Sequence, residues 1–499
     1  MMDNRFNLID EDWIPVADHG RVSLRKLFSS PQYRSLGGNP VQKIAVLKLL
    51  LGICQAAATP KDDAEWQALG AAGLAKRCIA YLERWRESFY LYGERPFLQV
   101  PAIAAARLQP FGAVVPEIST GNTTVLSQLQ NQRDLDDAEQ AVLLLTLMGF
   151  ALSGKKADNS VVLSPDYGGK RNDKGKPSTS KPGPGVGHLG FLHTFFAGSN
   201  LQQSLWLNLL TQQQEEQMQL YPAGIGTAPW ESMPEGEDCP VAQSLRQSLM
   251  GRLVPLCRFC LLASDGLNYS EGIAHAGYKD GMVDPSMAVN YSGKDPKALW
   301  VDPGKRPWRE LTSLLSFIQQ SDSQGFQSWQ VRCGLDRARD QVDIFSLWSG
   351  GLRVSSNAGE QYASGTDDFV ESEIWLHSDM LGQSWFAQLK QEMDALDALA
   401  KNLYGRVAGY YRELATDGSK LAAQATQLFW QLCEREFQQL VEQCDQGEEA
   451  KAARQRLRRD FADYIQQAYD QFCPRGTARQ LTAWAKQQPN NSIYVKQEA

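Results

Sequence analysis

The chain has 499 residues, 43% of them hydrophobic and 21% charged, with a formal net charge of −7. This balance excludes a predominantly disordered chain and gives room for two or three domains with their own cores. The negative charge excludes a protein that coats nucleic acid over its whole surface, but it leaves binding at one local patch open.

The N-terminus, MMDNRFNLID, has no positively charged flank ahead of an apolar core, so no secretory signal is expected. Phe6 to Ile9 and Trp13 to Val16 read as short strands. Asn39 and Pro40 supply a cap and first turn for a helix through Ile44, Leu47, Leu50, Leu51 and Cys54, ending near Thr59-Pro60. The longest apolar run, Ala141 to Leu152, is too short to span a bilayer and reads as a buried helix, and no membrane partner is expected. Between Lys155 and Lys181, seven basic residues stand against three acidic ones in a glycine-rich stretch, a local attractor for phosphate. Further strands are expected at Leu205 to Leu210, Val254 to Leu262, Trp329 to Gly334 and Val342 to Trp348. With the alternating run Phe369 to Leu376, the last of these holds out a long loop, Gly350 to Asp368 (GGLRVSSNAGEQYASGTDD). Its Asn357, Glu360 and Gln361 are of interest because amide side chains both donate and accept hydrogen bonds, as reading or replacing base edges requires. Taken alone, such a loop reads as an ordinary surface hairpin.

Beyond Gly382 the pattern becomes helical throughout, with apolar stripes at Trp385 to Leu403, Leu428 to Val441 and Leu457 to Phe472, and a shorter helix over Arg475 to Gln488. Breaks fall at Asp417-Gly418, Gly447 and Pro474. The expected fold class is therefore α+β: a loop-rich mixed domain over residues 1–378, then an all-α four-helix bundle over 379–499. The basic run Lys451, Arg454, Arg456, Arg458 and Arg459 on the third helix reads as a solvated face, with a phosphate track as the other reading.

Catalytic chemistry has little to stand on. The five histidines are widely separated, and none forms a pattern that places two imidazoles on one face for a metal. Cys257 and Cys260 form a C-x-x-C on a strand, with no second pair at zinc-ribbon spacing. The G-x-G-x-x-G match at Gly185, Gly187 and Gly190 follows a polar loop instead of a strand, so it reads as a flexible loop. No cofactor, metal or catalytic residue is expected. Nine cysteines without a disulfide framework fit a reducing cytoplasm.

Several segments together carry a resemblance: FNLIDEDWIPV (Phe6 to Val16), TPKDDAEW (Thr59 to Trp66), RPFLQ (Arg95 to Gln99), GGK (Gly168 to Lys170) and the GLR...N...Q loop (Gly351 to Gln361), followed by the helical bundle. In this order the chain resembles the CasA family, the large subunits of the type I-E CRISPR surveillance complex Cascade. The resemblance covers essentially the whole chain, and LID-x-x-WIPV is its most specific part. It implies a non-catalytic subunit for RNA-guided antiviral defence that recognises the protospacer-adjacent motif in double-stranded DNA through the minor groove. Gly168 and Gly169 would admit the groove to backbone, with Lys170 beside them, and Lys279 in AGYKDGM would reach the same groove. A wedge residue, Asn357 or Gln361, would displace the first base pair and start R-loop formation. The family pattern places these two amides side by side in some relatives, whereas Ala358, Gly359 and Glu360 separate them here. The loop Ser119 to Asp134 would reach the guide RNA 5′ end and a neighbouring subunit. The other implied partners are further Cascade subunits and a recruited helicase-nuclease. Two other classes stay open: a nucleic-acid-modifying enzyme with an unrecognised active site, and a purely structural scaffold subunit.

Overall fold

The computed structural model describes residues 5–114, 134–150, 157–158, 160–165, 167, 190–318, 325–353, 369–444, 447–491 and 494–495. The chain divides into two compact units, Met1–Pro307 with Ser323–Glu373, and Trp308–Asp322 with Ile374–Ala499. The first is mixed α and β; the second is helical. The helical unit takes in Trp308–Asp322, a segment the sequence reading places in the first half. Its Trp308 ring lies 4.3 Å from Phe437 and its Arg309 guanidinium 3.7 Å over Trp430.

The first unit is organised around the helix Pro40–Ala58. Asn39 caps it in a reciprocal capping box with Gln42, and apolar residues on every side are buried, as expected of a helix enclosed by its own fold. Among the described residues it is the one helix long and apolar enough to cross a membrane, and two thirds of that stretch is buried inside the protein. Asp63–Arg84 and Asp137–Gly149 pack against it. Asp137–Gly149 is the buried helix expected from the apolar run, capped by a second box between Asp136 and Glu139.

Short sheets surround these helices. In one, the strand Ile344–Leu352 lies between His193–Ala197 and Phe369–His377, and Gly350 stands opposite His193. In another, Gly266–Glu271 lies between Leu108–Gln109 and Arg258–Ala263. In a third, Ala288–Asn290 lies between Lys297–Ala298 and Gln327–Ser328. The strands on either side of the expected loop are thus neighbours in one sheet, as the alternation predicts, and Gly350 to Leu352, read as the start of the loop, extend the first of them.

Two expected strands are helices. Leu205 to Leu210 falls largely in the helix Leu201–Asn208, capped by Asn200, and Trp206 stacks on Trp66 with centroids 4.1 Å apart. Trp329 to Gly334 opens the helix Trp329–Gln341, capped by Ser328. A short apolar run buried on several sides has no period that distinguishes the two, and here the caps carried the information. The expected strand Val254 to Leu262 begins only at Arg258.

In the second unit the helices Gln383–Glu413, Ser419–Glu442 and Glu448–Phe472 pack on one another, and the short Ala478–Lys486 packs against the first. The apolar stripes face inward as read. The basic run does not behave as one solvated face. Arg456 and Arg459 are exposed, but Arg454 and Arg458 are buried. Arg458 makes a two-pronged pair with Glu392 at 3.0 and 2.6 Å, and Arg454 donates to the carbonyl of Gln443. A charge pair this deep is costly to break from one side because the remaining charge stays buried. Glu392→Ala should therefore destabilise the helical unit by about 3–5 kcal/mol, whereas replacing both partners by Met should recover most of the loss. Urea unfolding of the full chain, with hydrogen exchange read on the Gln383–Glu413 amides, checks both.

Candidate nucleic-acid interface

Of the residues the sequence singles out for DNA contact, Lys279 is described; Gly168, Gly169, Lys170, Asn357 and Gln361 lie outside the described residues, as does nearly all of Ser119 to Asp134. What the structure describes is where these segments are rooted.

The glycine-rich segment enters from Tyr167, a buried residue whose N–H donates to the carbonyl of Ser164 at 3.0 Å. Ser164 is tied in turn to the Glu237 carboxylate, through its own N–H at 2.9 Å. The segment returns at Gly190, which has φ +77° and whose carbonyl accepts from Val301 N–H at 2.8 Å. A side chain at that φ would be strained, so the last glycine of the G-x-G-x-x-G match is the residue that turns the chain back into the fold. Phe191 follows, buried and bridged to Trp300.

Lys279 sits in the single 3₁₀ turn Tyr278–Asp280, exposed to solvent. The turn closes on itself: the Asp280 carboxylate accepts from Gly277 N–H at 3.0 Å, and Gly281 takes the left-handed conformation at φ +84°. Upstream, Gly272 and Ile273 donate to the carbonyls of Cys257 and Leu256, and His275 Nε2–H donates to the carbonyl of Pro255 at 2.6 Å. Lys279 is therefore a surface lysine standing on a braced turn.

The strand that precedes Asn357 and Gln361 in the chain ends in Gly350, Gly351 and Leu352. A Cβ on Gly351 would stand 2.7 Å from the Phe191 carbonyl oxygen and 2.6 Å from Val301 Cγ2, so glycine is what permits this strand to pass so close. All three segments thus meet one aromatic cluster: Phe191 lies 4.6 Å from Trp300 and 5.8 Å from Tyr278 between ring centroids, and Tyr278 lies 6.5 Å from Trp300. The structure brings together the roots of the glycine-rich segment, the lysine turn and the hairpin. Sequence reading missed Phe191, Tyr278 and Trp300, because three aromatics separated by up to 109 positions form no local pattern; the one available signal was Tyr278 beside Lys279.

Among the described residues, no three His, Cys, Asp or Glu side chains gather as a metal site. Cys257 and Cys260 are both buried, and burial pushes the Cys260 thiol up to about 12. No disulfide links any of the nine cysteines, all of which are described.

A family model for CRISPR-associated protein Cse1 matches residues 7–468. The chain belongs to the Cse1 (CasA) family. CRISPR-associated protein CasA/Cse1 of Thermus thermophilus is 30% identical over 220 residues, a match that spans 41% of this chain and 40% of that relative's length. Among solved structures, Thermus thermophilus CasA aligns with a TM-score of 0.72 at 18% identity, covering 99% of each chain. Thermobifida fusca Cse1 aligns with a TM-score of 0.72 at 19% identity, covering 99% of this chain and 98% of that one. A chain of a CRISPR RNA-guided surveillance complex aligns with a TM-score of 0.67 at 16% identity, over 97% of this chain and 98% of that one. At these identities the structural matches establish a Cse1 fold over the whole chain.

Burial and the positive charges of Arg252 and Arg246 lower the His275 imidazole from its ordinary 6.5 to about 3, so the brace behind Lys279 is a neutral histidine. In acid the unfolded chain takes up this proton first, so the contribution is intact above about pH 6.5 and is lost as pH falls toward 3. A His275→Gln variant, whose amide still donates to Pro255, should show a flatter decline of Tm between pH 6.5 and 4 than the parent chain, as thermal melts across that range will measure.

Proposed function

We propose that this chain is the non-catalytic large subunit of a type I-E CRISPR Cascade complex, working in the cytoplasm with the other subunits and the 5′ region of the guide RNA. It recognises the protospacer-adjacent motif in double-stranded DNA through the minor groove, wedges the duplex open to start the R-loop, and helps to recruit the helicase-nuclease. Membership of the Cse1 family supports the assembly. The observation that carries the reading role is the convergence of the three segments on Phe191: Gly351 against its carbonyl, Gly190 beside it in the chain, and Tyr278 of the lysine turn against its ring.

The chemistry suits the minor groove. Its acceptors chiefly separate A·T from G·C pairs, so few side chains are needed, provided backbone can come close. Gly168 and Gly169 supply that approach, Lys170 and Lys279 supply positive charge at the groove, and Asn357 or Gln361 supplies an amide to meet the base edges it exposes. The helical unit suits protein docking better than DNA: between Met380 and Ala499 there are fifteen basic and fifteen acidic residues, so it offers no net attraction to phosphate.

In an assembled, guide-loaded complex, Lys279→Ala and Gly169→Leu should each weaken binding of motif-bearing duplex, by about 1–3 kcal/mol for the lost lysine contact. Motif binding by both variants at the parental affinity in a gel-shift titration would overturn the assignment of these residues. A pure-protein cleavage assay on duplex DNA and RNA with divalent metal separates this reading from the modifying-enzyme alternative.

The wedge makes a kinetic prediction. Displacing a base pair costs stacking and pairing energy, a few kcal/mol, which the inserted amide offsets in part. An Asn357→Ala, Gln361→Ala double variant should form R-loops slowly on intact duplex and recover most of the parental rate on targets already mismatched beside the motif. Stopped-flow measurements with fluorescent bases check this, and equal slowing on both targets would assign the loop to binding or assembly instead.

A further inference from the structure

We propose that Trp300 is a stacking platform for the nucleobase that is unpaired first beside the motif, an inference that rests on the DNA-reading role proposed above. Among the described residues, Trp300 is one of the few large apolar residues left at the surface, 39% exposed, although its neighbours Leu299 and Val301 are buried. It is not loosely placed. Its ring packs on Phe191 at 4.6 Å with 32° between the planes, and Tyr278 meets it edge-on at 74°. Its backbone is fixed on both sides, by Leu299 N–H to the Ala288 carbonyl at 2.9 Å and by Val301 N–H to the Gly190 carbonyl at 2.8 Å. An aromatic face held still by other rings loses little freedom when a second ring stacks on it, and stacking accepts any base, because every base has a π face.

Two further observations choose a nucleobase as the occupant. From Lys294 to Arg306 four basic residues stand against two acidic ones, Asp295 and the nearby Asp302, and Lys279 adjoins the Tyr278 that supports the ring, so the stretch keeps a net positive charge that suits a phosphate backbone. The strand that leads to the hairpin loop passes at Gly351 against the Phe191 carbonyl and against Val301, the residue next to Trp300 in the chain. A base within an intact duplex presents edges and no face, so the platform acts only after opening. Its contribution consequently survives when the target is melted in advance, which is where it parts from the wedge.

The test uses assembled, guide-loaded complexes carrying Trp300→Ala, Trp300→Phe or Lys279→Ala. The target is a duplex mismatched beside the motif, with 2-aminopurine at the first unpaired position. Trp300→Ala should bind this target about tenfold more weakly and leave the probe severalfold brighter, while Trp300→Phe stays near the parent. Parental affinity and parental probe brightness in Trp300→Ala would overturn the proposal. Should Trp300→Ala fail to assemble, photocrosslinking of the parent complex to 5-iododeoxyuridine at the same position decides it: a crosslink on Trp300 supports the platform, and crosslinks found solely elsewhere overturn it. Parental motif binding by Lys279→Ala would count against the underlying reading, whereas the crosslink judges Trp300 independently.

Discussion

The first unit depends on one buried ion pair. Lys48, in the middle of the enclosed helix Pro40–Ala58, reaches the Asp284 carboxylate with both side chains at most 4% exposed. Burial alone would raise the Asp284 carboxyl, but the charges of Lys48 and His193 and the hydrogen bonds from Lys48 and Ser286 hold it below the usual carboxylate range. The same carboxylate accepts from Ser286 N–H and Oγ–H at 3.0 and 2.7 Å, and Ser286 Oγ lies 2.8 Å from His193 Nδ1. His193 opens the strand paired with Ile344–Leu352, and Met287, next along from this knot, packs in the cluster with Phe191. The central helix, the loop-bearing sheet and the aromatic cluster are thus tied through a single carboxylate. A buried polar network of this kind, with both oxygens of the Asp284 carboxylate paired, favours one arrangement where an apolar core would tolerate several.

That rigidity matters because the segments that would meet DNA are long. Loops gain precision from what they are rooted on, and each extra residue between root and tip loosens the aim. Here the roots are short and braced. Gly190 turns the chain at a positive φ, the lysine turn spans three residues closed by Asp280 and Gly281, and Gly351 lets a strand pass within contact of the Phe191 backbone. Substituting a larger residue at Gly351 would disturb the aim of the hairpin and the placing of Trp300 together, since Val301 is the side chain it would meet.

Much of this was open to reading from the residues alone, for identifiable reasons. The C-terminal helices were legible because a 3.6-residue period runs for many turns, and the expected breaks fall between them: Gly418 and Gly447 cap the starts of the second and third helices, and Pro474 lies just past the end of the third. The cap at Asn39 was legible because it is a local hydrogen-bonding pattern. Leu205 to Leu210 and Trp329 to Gly334 were misread because burial on several sides erases the period. Arg458 looked like a solvated charge because its partner, Glu392, lies 66 positions away. Lys279 was singled out through its resemblance to a family motif, whereas the Phe191 cluster had no sequence signature beyond Tyr278 beside that lysine: its members come from three connections that only the folded chain brings together.

The charge distribution is compatible with the DNA-reading role proposed for this acidic chain. From Met380 onward the chain is electrically neutral by count, so the whole of the −7 charge falls before it, in the part of the chain that carries the aromatic cluster. A uniformly acidic surface would repel duplex DNA at every orientation, but lysines and arginines gathered on a few loops within an acidic field repel it everywhere except there. Non-specific binding, which grows with the number of phosphates neutralised, is thereby kept low, and the few contacts at the roots weigh more in the choice of site. For the DNA-reading role proposed here, weak attraction overall and rigid placement locally are complementary requirements, and the buried carboxylate of Asp284 would supply the second while the surplus of acidic residues would supply the first.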